Sequence, residues 1–157
     1  MITSSISEAA QLLKQGEVLA YPTEAGWGLG CDPVNEQAFQ HILELKHRPV
    51  EKGVILLAGH LDQVEHLLQS LTADIRQQVI ASWSDRLPTE RATTWLLPAD
   101  QHIPDWIKGQ HPLVAVRVTT HPLCVGLCNS FGGFIVSTSA NPAGLTPAQS
   151  LQQAQDY

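Results

Sequence analysis

A helix that is halted by a proline and hands its chain straight to an unbroken apolar run constrains this sequence most. Glu44-Leu45-Lys46-His47-Arg48-Pro49-Val50-Glu51-Lys52-Gly53 ends an apolar-faced helix and leads into Val54-Ile55-Leu56-Leu57-Ala58, a strand-like run. Pro49 cannot continue a helix and biases Arg48 towards extended backbone, so Lys46, Arg48 and Lys52 fall on a turn rather than along a solvated helical stripe. Three of the chain's nine Lys and Arg residues are gathered there. Such a turn is either an anion clamp or a simple complement to the carbonyl end of the preceding helix, worth ~0.3–1 kcal/mol per cation.

The rest of the chain repeats the alternation of amphipathic helix and short apolar run that specifies an α/β domain with helices covering a sheet. Ser5 and Glu8 form a capping box for a helix with Ile6, Ala9, Ala10 and Leu13 on one face and Gly16 as its stop. Val18 to Tyr21 reads as a strand halted by Pro22. Gly26, Gly28 and Gly30 follow at alternate positions, either to let the backbone lie close to a ligand or to let a twisted strand pack on another element. This glycine pattern is neither a Walker loop nor a dinucleotide fingerprint. Asn35 caps a helix carrying Ala38, Phe39, Ile42 and Leu43. Leu61, Val64, Leu67 and Leu68 predict a third helix, and Thr72 opens a fourth with Ile75, Val79, Ile80 and Trp83 as its buried face. Residues 84–91 read as a surface loop, 93–98 as a strand, and the stretch around Pro104, Gly109 and Pro112 as irregular. A final capped helix is expected from Thr146-Pro147 onward.

Length and composition fit one soluble domain, expected to span residues 1–157, with 43% hydrophobic and 15% charged residues. No apolar run approaches the ~18 residues of a membrane span and no basic leader precedes the first one, so a cytoplasmic protein without a membrane partner is expected. The net charge of −6 disfavours a broad nucleic-acid surface but leaves room for a local basic cleft. Three cysteines without a paired framework suit a reducing compartment. His121, Cys124 and Cys128 lie near one another on an expected helix, yet Cys at i and i+4 on an apolar face behaves as a small hydrophobe, and no metal site is assigned there.

Two polar features interrupt otherwise apolar strands. Arg117 sits within Leu113-Val114-Ala115-Val116-Arg117-Val118-Thr119, where a guanidinium needs a carboxylate, an open sheet end or a bound anion. Phe134-Ile135-Val136 runs into Ser137-Thr138-Ser139-Ala140-Asn141, whose Ser137, Ser139 and Asn141 share one face of an extended chain. Open α/β sheets hold their ligands at such strand ends. An ordinary Ser/Asn turn is the alternative.

Tyr21-Pro22-Thr23-Glu24, Gly28-Leu29-Gly30, Leu45-Lys46-His47-Arg48-Pro49, Lys52, Val116-Arg117-Val118 with His121-Pro122, and Ser137-Thr138-Ser139-Ala140-Asn141 together resemble the YrdC/Sua5 family, in its short bacterial form. The resemblance implies a twisted α/β fold of mixed parallel and antiparallel strands around a positively lined cleft. It implies joining L-threonine, bicarbonate and ATP into threonylcarbamoyl-adenylate and pyrophosphate, for the t6A modification of tRNAs that read codons beginning with A. Lys46, Arg48 and Lys52 would hold the ATP phosphates, with Lys46 and Arg48 as the catalytic cations. Ser139 and Asn141 would join them on the nucleotide, and Thr23, Arg117 and Ser137 would hold threonine or its carbamate. ATP would come with Mg²⁺ as substrate, without a tightly bound cofactor. Further implied partners are tRNA or another RNA and the proteins of a threonylcarbamoyl transferase complex.

The sequence departs from the family pattern in two places. Where relatives have a Trp-Pro-Gly-Pro-x-Thr type of turn, Trp83 is followed by an unrelated stretch through Thr93 and only Thr94 matches. The chain is also expected to end earlier than its relatives, and Trp27 replaces a more usual Tyr. Two other readings stand beside the enzyme: an RNA-binding maturation factor, for which the same basic cleft would be the RNA surface, and, from these departures, a family member that binds ligand without turnover.

Overall fold

A computed structural model describes residues 1–47, 54–84, 92–142 and 144–157. In chain order its elements are α1 (Ile6–Lys14), β1 (Leu19–Thr23), β2 (Gly26–Cys31), α2 (Glu36–Lys46), β3 (Ile55–Ala58), α3 (Ala73–Ser84), β4 (Trp95–Pro98), α4 (Asp105–Lys108), β5 (Leu113–Val118), α5 (Pro122–Phe131), β6 (Ile135–Ser139) and α6 (Leu151–Asp156). The strands form one six-stranded sheet in the order β1-β2-β6-β3-β5-β4. Among the described residues only β3 and β5 run parallel; the other neighbours are antiparallel. The sheet is thus mixed, with helices on both faces, as expected.

Period-two alternation divides the strands' side chains cleanly between those faces. On one, Leu56, Val116, Val136 and Leu97 pack against Ala38, Phe39 and Ile42 of α2 and against Val79 and Trp83 of α3. On the other, Leu57, Ile135 and Tyr21 pack against Ala10 and Leu13 of α1 and Cys124, Leu127 and Cys128 of α5. The second layer covers only part of its face. Helices α1 and α5 meet closely because a Cβ at Gly126 would stand 2.9 Å from Ile6 Cδ1.

Local sequence accounts for most element ends. Ser5 accepts the Glu8 N–H at the start of α1, and Asn35 accepts the Ala38 N–H at the start of α2. The reciprocal half of the expected capping box is replaced by a relay: Thr3 Oγ1 donates to the Glu8 carboxylate and accepts the Ser5 N–H. Helix α2 ends on His47 in the left-handed conformation, φ 49°.

Several expectations are corrected. Pro22 does not halt β1 but lies inside it, which an edge strand tolerates because one side of its backbone needs no partner. The expected third helix is two 3-10 turns, Leu61–Gln63 and Glu65–Leu68, whose tighter winding still buries Leu67 and Leu68. Ile75 is 45% exposed, so the buried side of α3 rests on Val79 and Trp83 instead. The stretch around Pro104 contains the short α4, and the last helix begins after its Ser150 cap rather than at Thr146. Most of the stretch expected as a loop at 84–91 lies outside the described residues; Ser84 itself ends α3. Among the described residues no helix is long and apolar enough to cross a membrane.

Candidate functional site

The incompletely covered face is where the polar strand end lies. Along β6 the inward series runs Ile135, Ser137, Ser139; the first packs under α1 and α5, while the other two line open hollows. One hollow, of about 140 Å³, is walled by Thr23, Glu24, Trp27, Arg117, Ser137 and Ser139. The other, of about 520 Å³, reaches from Ser137 and Ser139 past Ile55 and Ala115 to Lys108 and His111. Ile55 and the 137–139 segment belong to both walls, so the end of β6 is the ridge between them.

The neighbouring glycines serve this geometry. Gly30 lies opposite Ser137 and Gly28 opposite Ser139 in the β2–β6 pairing. A Cβ on Gly30 would stand 2.6 Å from the Tyr21 hydroxyl and 2.7 Å from the Val136 carbonyl oxygen. The packing alternative for this glycine pattern therefore accounts for Gly30: it makes room for the Tyr21 ring. Tyr21 then donates to Ser137 Oγ at 2.8 Å. Burial pushes its phenol well above the ordinary range, so it remains a neutral donor that orients the serine.

Arg117 meets one of the partners its position allowed, a carboxylate, and a hydroxyl besides. Its Nε donates to Thr94 Oγ1 at 2.9 Å, and its Nη1 stands 3.9 Å from Glu24 Oε1. Glu24 is in turn fixed by Thr119, whose hydroxyl donates to Oε2 at 2.8 Å and accepts the His121 N–H. The guanidinium is thus held in place from two sides while it still lines the smaller hollow. Thr23 also lines that hollow, but its hydroxyl donates to the Gly26 carbonyl and accepts the Ala25 N–H, which locks the β1–β2 turn.

Lys46 approaches the same strand end from the α2 side. It is 2% exposed, and a buried ammonium requires acceptors. It donates to the backbone carbonyls of Ser139 and of Asn141, the latter at 3.0 Å, with Ser139 Oγ at 3.5 Å and Asn141 Oδ1 at 3.4 Å. The Asn141 amide donates to the carbonyls of Pro142 and Leu145, folding the following turn back. Lys46 and Asn141 are therefore behind the ridge, not on the walls of the two hollows. Arg48 and Lys52 lie outside the described residues.

The thiols are chemically quiet. Burial raises Cys31, Cys124 and Cys128 to about 12, with the Glu24 carboxylate adding to the effect at Cys124. Cys124 and Cys128 donate to the carbonyls of Pro22 and Leu57, as small core residues do.

Sequence reasoning missed Glu24, Thr94 and Thr119 as the frame around Arg117, Tyr21 as the partner of Ser137, and Lys108 and His111 as basic wall residues. An arginine within an apolar strand signalled a carboxylate, an open sheet end or a bound anion, but nothing in the spacing named Glu24. What the assembled groups offer is a set of fixed cations and neutral hydroxyls beside a concave surface, suited to holding anions without a protein nucleophile.

Comparison with known proteins gives concordant matches. The Sua5_yciO_yrdC family model, described as telomere recombination, matches residues 11–157. The threonylcarbamoyl-AMP synthase of Acinetobacter baumannii is 74% identical over 157 residues, covering 100% of this chain and 83% of that protein. That of Acinetobacter baylyi is 66% identical over 158 residues, covering 100% and 82%. Among solved structures, P. abyssi Sua5 complexed with L-threonine superposes with a TM-score of 0.84 at 28% identity, over 96% of this chain and 43% of that one.

Proposed function

The chain belongs to the Sua5/YciO/YrdC family, and from that premise we propose that it makes threonylcarbamoyl-AMP from L-threonine, bicarbonate and ATP, releasing pyrophosphate. The threonine amine adds to bicarbonate-derived CO₂ to give a carbamate. A carbamate oxygen then attacks the α-phosphorus of ATP, forming the P–O bond as the bond to pyrophosphate breaks. Both reactants are anionic, so the protein's task is to bring them together against repulsion and to fix the line of attack.

The observation that carries this reading is that Arg117, Ser137 and Ser139 share one hollow while the ammonium of Lys46 holds the backbone of that same strand end. Arg117, oriented by Thr94 and Glu24, is suited to the threonine carboxylate or the carbamate, with Thr23 and Ser137 beside it. The larger hollow suits the nucleotide, with Ser139 on its wall and Asn141 behind the same strand end. Lys46 fixes the strand end from behind the ridge, and Arg48 and Lys52, which follow it in the chain, would hold the phosphates. Mg²⁺ would arrive with ATP as part of the substrate and offset the charge of its phosphates. The labile product passes to a threonylcarbamoyl transferase complex for t6A synthesis on tRNA.

Pyrophosphate release from ATP tests the reading. It is expected to require both threonine and bicarbonate and to fall ~10²–10³-fold in Lys46→Ala. Release that is indifferent to threonine, or unchanged in that variant, overturns it.

A further inference from the structure

On the other side of the fold the second 3-10 turn and the loop after β4 bring together three ligating side chains that the synthase reaction does not use. His66, Asp100 and His102 each offer a nitrogen or oxygen, and these atoms all lie within 4.8 Å of one another. His66 Nδ1 is 2.6 Å from Asp100 Oδ2, and His102 Nδ1 is 3.4 Å from Asp100 Oδ1. The two imidazole rings stand 4.9 Å apart between centroids.

The cluster is built rather than incidental. The backbone N–H of His102 donates to Asp100 Oδ1 at 2.9 Å, which fixes the carboxylate between the two rings. Phe134 lies 6.1 Å from the His66 ring and supports it from the core side. His66 and Asp100 are only 27% and 22% exposed, and all three residues face a cavity of about 300 Å³ whose wall, among the described residues, carries no lysine or arginine. None of the residues on that wall belongs to either hollow at the end of β6.

We propose that His66, Asp100 and His102 bind a divalent cation of the zinc class, clipping the second 3-10 turn to the end of β4. Two imidazoles and one carboxylate suit zinc, cobalt or nickel, whereas magnesium and calcium favour all-oxygen sets. Bonds of ~2.0–2.2 Å require neighbouring ligand atoms roughly 3.4 Å apart. One separation, 3.4 Å, already matches that value and the other, 2.6 Å, has to widen, so modest side-chain rotations complete the triangle. The cation displaces the proton shared between His66 and Asp100, and its open position faces the cavity, where water completes the shell. Because 34 residues separate His66 from Asp100, the clip closes a long loop that includes α3.

Cobalt(II) and zinc titration of the whole, chelator-stripped chain tests this, read by visible absorption, calorimetry and thermal midpoint. One equivalent is expected to bind with the intense bands of a low-coordinate cobalt site, and zinc is expected to raise the midpoint. His102→Gln, whose ring is 59% exposed and therefore dispensable for folding, is expected to weaken binding at least ~100-fold. His60→Gln, at the exposed His60–Asp62 pair, serves as the control and is expected to bind like the parent. Absence of saturable binding, weak bands of a fully hydrated ion, or equal affinity in His102→Gln overturns the proposal. None of these outcomes bears on the synthase reaction, whose readout is pyrophosphate.

Discussion

One face of one sheet carries both a closed half and an open half, and the same strands supply both. Under α1 and α5 the side chains are Tyr21, Leu57 and Ile135; beyond the helices they are Ser137, Ser139, Ile55 and Arg117. Along β6 the change takes a single step of the pleat, from Ile135 to Ser137. The difference teaches that the site is not a separate module but the continuation of the core past the edge of its covering layer. Core packing fixes the strand, and the next residues on that face inherit its rigidity, as a preorganised site requires. The Tyr21 hydroxyl joins the two halves, since its ring is buried in one and its proton reaches Ser137 in the other.

Substitutions on either side of the boundary should differ in what they cost, stability alone in the closed half and activity as well in the open one. Ile135→Ser in the closed half removes a fully buried side chain and leaves a hydroxyl in its place. It is expected to lower unfolding free energy by ~3–5 kcal/mol in denaturant titrations. Gly30→Ala, at the boundary, drives a methyl into the Tyr21 ring and the Val136 carbonyl, with an expected loss of ~1–3 kcal/mol. Replacing Tyr21 by Phe in that background should restore little, because the backbone carbonyl clash remains. Ser137→Ala in the open half is expected to weaken pyrophosphate release and to destabilise by ~1–3 kcal/mol, because the Tyr21 hydroxyl loses its acceptor. Adding Tyr21→Phe should recover that stability but not the activity. Additive losses in this double-mutant cycle would mean that the halves are independent.

The gentlest probe of the closed half is alkaline pH. The three thiols titrate near 9 when exposed and at about 12 in the fold. Between those values the native chain keeps protons that the unfolded chain has released. Stability is therefore expected to be flat in this respect below pH 9 and to decline as pH rises towards 12. Cys→Ala variants at these positions should flatten the decline.

The apolar core on both faces of the sheet was largely legible in the sequence. The caps at Ser5 and Asn35, the stripe Ala38, Phe39, Ile42 and Leu43, and the apolar behaviour of Cys124 and Cys128 follow from local chemistry and period. The 61–68 segment failed because its apolar spacing suits an α-helix as well as two tighter turns, and tertiary packing decided between them. Pro22 misled because a sequence does not say which strand lies at an edge. In the open half the polar strand end and Arg117 stood out against their apolar surroundings. Their partners did not, because Glu24 and Thr94 reach Arg117, and Thr119 reaches Glu24, from stretches far apart in the chain that only the fold brings together.

The most direct measurement is mass spectrometry of the product made from ATP, threonine and isotope-labelled bicarbonate by the parent chain, Arg117→Ala and Lys46→Ala. The account expects the parent to form threonylcarbamoyl-AMP carrying the label, and both variants to lose it together, since one acts from the hollow and the other from behind the same strand end. Labelled product from either variant at the parental rate, or AMP formed by the parent without the labelled carbamoyl group, would contradict it.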